Sequence, residues 1–137
     1  MKWENSYATK ILVIDNDHRK LFELTDRLEE LAQEAQPDSR LINNQLERLL
    51  DYTGYHFQRE QAMMALHQIE SMNQHVAEHA EFIAVTRDAC SDWNLTGSLE
   101  VLKSLIKYLS SWLVEHISSR DMELAEQLLR VEGINAA

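Results

Sequence analysis

His75 and His79 stand four residues apart in the stretch His75-Val76-Ala77-Glu78-His79. On a helix that spacing places two side chains on one face, one turn above the other. Two imidazoles so placed can close on a single metal ion. Three further stretches carry matching groups: Asp15-Asn16-Asp17-His18, His56-Phe57-Gln58-Arg59-Glu60 and His116-Ile117-Ser118-Ser119-Arg120-Asp121. Five of the six histidines and two carboxylates therefore fall in four separate segments. Together His18, His56, Glu60, His75, His79, His116 and Asp121 are the donor set of a binuclear metal centre. Imidazole is the common nitrogen donor to iron, zinc and copper, and carboxylate suits harder ions. Seven donors exceed the needs of one tetrahedral zinc, and they fit two ions bridged by the carboxylates. Two divalent ions bring about +4 against about −3 from two carboxylates and a hydroxide, a tolerable buried charge.

Other metal chemistry fits less well. The sole cysteine, Cys90, cannot supply an iron-sulfur or zinc-cysteine site, and it reads as an ordinary thiol on a helix. No glutamate precedes a histidine by three residues, as ferritin-like carboxylate proteins require. The order His-x-x-Glu-His of one zinc-peptidase class does occur at His75–His79, with Glu78 as its base. That reading leaves the other three segments unexplained. His67 belongs to none of these pieces and reads as a surface or helix-end histidine. Tyr52 lies one turn before His56, where it either packs or supports the site from outside.

The elements that must carry these groups are helices. Residues 1–14 read as an arm ending in the apolar run Ile11-Leu12-Val13-Ile14. Asp15 is the expected N-cap of a first helix, with Leu21, Leu24, Leu28 and Leu31 as its stripe. Pro37 ends it, with the stop in Ala35-Gln36-Pro37-Asp38. A second helix from about Ser39 carries Ile42, Leu46, Leu49, Thr53, His56, Glu60 and Met64. Gly54 inside it suggests close approach by a neighbour. The third helix is expected over 69–90, with Met72, His75, His79, Phe82 and Thr86 on one face, and residues 91–97 form the connection. Ser98 opens a fourth helix with Val101, Leu105, Leu109, Trp112 and His116 inside and Glu100 and Glu115 outside. A short fifth runs from Asp121 to Arg130. His116 to Asp121 is a step of five, about 140° on an ideal helix. The fourth helix must therefore break or widen near Ser118-Ser119 to return Asp121 to the site. The expected fold is all-α: an antiparallel four-helix bundle with an N-terminal arm and a short C-terminal helix, one domain over 1–137.

Composition agrees. Three glycines and one proline are few, and apolar residues make up 45% of the chain. The formal net charge of −10 argues against nucleic acid and against anionic membrane surfaces. No apolar run approaches the ~20 residues of a membrane span. The N-terminus lacks signal-peptide character, and the single cysteine fits a reducing compartment. Cytoplasmic localisation is expected.

With these motifs in order, the sequence resembles the hemerythrins, in particular the bacterial type, from Trp3 to about Leu129. The opening Ile14-Asp15-Asn16-Asp17-His18 followed by Leu21-Phe22 belongs to the same resemblance. It implies two iron ions joined by an oxo or hydroxo bridge. His75, His79 and His116 would hold one iron, and His18 and His56 the other. Glu60 and Asp121 would bridge them. The second iron would keep an open position for dioxygen, within an apolar pocket of Leu21, Phe57, Trp112, Leu113 and Ile117. Family members often have two consecutive glutamates where this chain has Glu60-Gln61. Only the first is a ligand position, so little consequence is expected. The leading expectation is reversible dioxygen binding, for storage or delivery, or as the oxygen- or redox-sensing domain of a larger signalling protein. Related domains are often fused to output modules, and residues 131–137 would suit a linker. The competing expectation is a di-iron enzyme acting on peroxide or nitric oxide. A purely structural bundle would leave inward histidines without partners.

Overall fold

The computed structural model describes residues 2–131; all of the expected linker 131–137 except Val131 lies outside them. Five α-helices follow one another: α1 Leu12–Ala32, α2 Ser39–Leu66, α3 Met72–Thr96, α4 Leu99–His116 and α5 Met122–Leu129. Helix α1 packs on α2 and α4, and α3 packs on the same two, closing an antiparallel four-helix bundle. The predicted stripes are the buried ones. Leu21, Leu24, Leu28 and Leu31 of α1 are buried, as are Ile42, Leu46, Leu49, Thr53, His56, Glu60 and Met64 of α2. On α4, Leu102 is fully buried, and Val101 and Trp112 are half-buried.

Asp15 is not the first N-cap. Helix α1 begins four residues earlier, with Ile11 at the cap position and no side-chain cap. Only residues 2–11 remain an arm, with a 3-10 turn at Asn5–Tyr7. Burial of Ile11 and Ile14 against Met64, Leu124 and Leu128 draws the apolar run into the bundle. The Asp15 carboxylate instead accepts from the Thr9 amide at 2.8 Å and the Thr9 hydroxyl at 2.7 Å. It thereby fixes the tight entry, where Lys10 adopts a positive φ of 68°.

Other boundaries shift as well. Helix α1 stops at Ala32, before the expected stop, and Asp38 caps α2 by accepting from the Arg40 and Leu41 amides. A Cβ built at Gly54 meets nothing within 4 Å, so no neighbour requires that glycine. Helix α3 starts at Met72 and runs through the predicted connection to Thr96. Trp93 explains the extension: it is buried and donates its indole N–H to Asn43 at 2.8 Å. Gly97, at φ 60°, terminates α3, and Ser98 caps α4. Helices α4 and α5 are continuous through a π-helical turn, Ile117–Asp121. This is the widened turn that the five-residue step demands.

The first apolar core spans Leu21 to Leu49 on α1 and α2, with Phe82, Leu105 and Leu109 opposite. A second, smaller core lies around Ile14, Met64 and Leu128. Between the stripes that build them comes a buried polar layer.

Candidate metal centre

The alternating helix directions decide where this layer forms. His18 lies early in α1, His56 and Glu60 late in α2, His75 and His79 early in α3, and His116 at the end of α4. Antiparallel packing brings those four positions to one level of the bundle. The π-turn adds Asp121. All seven predicted site residues are buried.

They form two overlapping groups. One contains Glu60, His75, His79, His116 and Asp121, and the other His18, His56, Glu60 and Asp121. Within each group one donor atom per residue lies within 4.8 Å of every other. The two carboxylates are the shared members. Asp121 directs Oδ2 to His18 Nε2 at 2.8 Å and Oδ1 to His75 Nε2 at 3.0 Å and His116 Nε2 at 3.3 Å. Glu60 Oε1 lies 3.3 Å from both His56 Nε2 and His79 Nε2.

His116 Nε2 stands 3.2 Å from His79 Nε2 and 3.2 Å from His75 Nε2. Nitrogens about 2.1 Å from one ion, at right angles, are about 3 Å apart. The three imidazoles are spaced as donors to a common cation. Both Glu60 oxygens are buried without a hydrogen bond. Such groups are costly in a dry interior, and a metal pair would satisfy them.

The electrostatics point the same way. Burial works against ionisation of Glu60 and Asp121, yet histidine neighbours, His56 for Glu60 and His116 for Asp121, hold both carboxyls below their usual range. Burial opposes protonation of His56, but the charge of Glu60 and the Asp17 hydrogen bond push it up to about 10. Asp121 and Glu60 raise His75 to about 9 in the same way. His79, by contrast, is pulled down, chiefly by burial.

Outer contacts orient the rings. His56 Nδ1 lies 2.9 Å from Asp17 Oδ2, and His79 Nδ1 lies 3.1 Å from Gln61 Oε1. Both partners can only accept at these atoms, so each Nδ1 donates and leaves Nε2 a free lone pair for metal. The sequence reading missed Asp17, and it gave Gln61 no role. The adjacency of Asp17 to His18, and of Gln61 to Glu60, was the available signal. Tyr52 does more than pack: its hydroxyl donates to Asp17 Oδ1 at 2.9 Å. Glu78 is not poised as a base; it accepts from Arg120 Nε at 2.8 Å and lies 3.6 Å from His116 Nδ1. These two side chains border a surface cleft of about 200 Å³ beside His116. His67 sits at the C-terminal cap of α2, outside both donor groups.

Two of the five apolar residues of the expected pocket lie against donor rings. Phe57 stacks on His79 at 3.7 Å, and Trp112 stacks on His116 at 4.2 Å. Leu21, Phe57, Leu113 and Ile117 share the first core, with half-buried Trp112 against it.

Comparison with known proteins agrees with this geometry. A family model described as the hemerythrin HHE cation binding domain matches residues 9–128. A bacteriohemerythrin of Methylococcus capsulatus is 28% identical over 122 residues, covering 88% of this chain and 91% of the relative. A hemerythrin of Phascolopsis gouldii is 31% identical over 121 residues, covering 88% and 87%. A hemerythrin-like protein of Naegleria gruberi is 26% identical over 121 residues, covering 88% and 87%.

Proposed function

For this chain, which belongs to the hemerythrin family, we propose reversible dioxygen binding at a non-haem di-iron centre. His75, His79 and His116 would hold one iron and His18 and His56 the other, with Glu60 and Asp121, which belong to both donor groups, available to both ions. The observation that carries this reading is the inequality of the two donor groups. They share both carboxylates, but one has three histidines and the other two. The two-histidine side is one donor short, which leaves room for a small ligand. The iron pair supplies two electrons that can be lent to dioxygen and recovered.

The protein's own contribution is positioning and exclusion of water. Asp17 and Gln61 fix the ring orientations of His56 and His79. Phe57 and Trp112 cover the His79 and His116 rings, and with Leu21, Leu113 and Ile117 of the adjoining core they would limit proton entry and keep a bound ligand from escaping as a reduced product. Binding rather than turnover follows from the lack of an unengaged acid or base among the described residues nearest the donors: Asp17 and Glu78 are each held by an arginine.

The reading extends to one domain over 1–137, working in the cytoplasm as an oxygen carrier or as the sensing domain of a signalling protein. Among the described residues no helix is long and apolar enough to cross a membrane. The test is optical. Reduced, iron-loaded protein should develop a new absorption band in air and lose it on degassing, over repeated cycles. Oxidation in one step, with no band that degassing removes, refutes reversible binding.

A further inference from the structure

The two groups differ in what stands behind their histidines. His79 is backed by the neutral amide of Gln61. His56 is backed by the buried carboxylate of Asp17. That carboxylate has further partners at the surface of α2. Arg59 Nε lies 2.9 Å from Asp17 Oδ2, the same oxygen that faces His56, and its side chain is 31% exposed. The Tyr52 hydroxyl takes the other oxygen at 2.9 Å. Arg59 is in turn fixed by Tyr55: its Nη2 donates to the Tyr55 hydroxyl at 2.6 Å, and its guanidinium lies 4.7 Å from the Tyr55 ring centroid.

A carboxylate accepting from Nδ1–H makes the imidazole a stronger electron donor through Nε2. Charge-assisted acceptance is about twice as strong as neutral acceptance. Donors that engage the same carboxylate compete for its electron density and weaken its pull on the imidazole proton. The chain therefore carries a graded link from exposed α2 to a metal-facing nitrogen of His56. In the other group the carboxylate behind a histidine, Glu78, stands 3.6 Å from His116 Nδ1, beyond hydrogen-bond distance.

Resting on the di-iron reading above, we propose that Asp17 is a positioning residue that sets the donor strength of His56, and that Arg59 and Tyr52 tune Asp17 from the surface. The two irons are thereby made unequal by their outer partners as well as by histidine number. The consequence has opposite signs at the two levels of the link. Asp17→Asn weakens donation by His56 and favours the ferrous state. Arg59→Gln and Tyr52→Phe free the carboxylate, strengthen donation and favour the ferric state.

The experiment measures iron per chain and reduction potential for wild type, Asp17→Asn, Arg59→Gln and Tyr52→Phe. Asp17→Asn should shift the ferric-to-ferrous ratio at fixed potential about tenfold toward ferrous, a rise of about 59 mV for one electron. It should also weaken retention of one iron by about 10- to 100-fold. Arg59→Gln and Tyr52→Phe should lower the potential while iron content holds. If Asp17→Asn does not load, the downward shifts in the two surface variants still decide the matter. A merely structural network would lower thermal stability and leave the potential in place, or move it in one direction for all three; either result overturns the proposal alone. A wild-type chain that takes up no iron overturns the parent reading and this one with it.

Discussion

At the scale of single residues, protons and metal compete for the same nitrogens. In the metal-free chain His56 is pushed up to about 10 and His75 to about 9, their carboxylate neighbours outweighing burial. Both are protonated near neutrality, so metal uptake should release about two protons per chain. Affinity should rise with pH between about 6 and 9. The stability of the metal-free chain should run the other way. A raised histidine contributes fully below the ordinary value of 6.5 and loses that contribution as pH climbs through its folded value. Denaturant midpoints of metal-free protein should therefore fall from pH 7 toward 10. Calorimetry in buffers of different ionisation enthalpy counts the protons. No proton release on metal uptake would show that these two imidazoles do not ligate.

At the scale of elements, the helices and their stripes were legible in the sequence, because Leu, Ile and Phe recur at helical spacing. The π-turn was legible too, since no regular helix returns Asp121 to the face of His116. What was not legible depends on partners distant in sequence. The start of α1 is set by Ile11 and Ile14 packing against α2 and α5, and the end of α3 by Trp93 reaching Asn43 of α2. The two glycines within the helical region illustrate the difference between a local and a tertiary cause. Gly54 has open space and ordinary helical backbone. Gly54→Ala should stabilise by about 0.5–1 kcal/mol through chain entropy and propensity. Gly97 holds φ at 60° where α3 ends, so Gly97→Ala should destabilise by about 1–2 kcal/mol. Urea midpoints should move in opposite directions. A loss at Gly54 would reveal a neighbour that its surroundings do not show.

At the scale of the whole molecule, the bundle is an apolar frame interrupted by one charged layer. Seven buried positions that come together in two groups able to hold a metal were legible in the sequence because their residue types are wrong for a core. Their outer partners were not, since an aspartate beside a histidine or a glutamine after a glutamate looks like ordinary helix surface. Only packing showed Asp17 buried against His56 and Gln61 against His79. The layer is arranged to receive cations: Glu60 is buried with both oxygens free of hydrogen bonds, among imidazoles whose nitrogens face one another. The most direct test is anomalous diffraction at the iron edge from crystals of the loaded protein. Two peaks should appear, one among His75, His79 and His116 and one beside His18 and His56, with Glu60 and Asp121 between. A single peak, or peaks away from these side chains, would contradict the account.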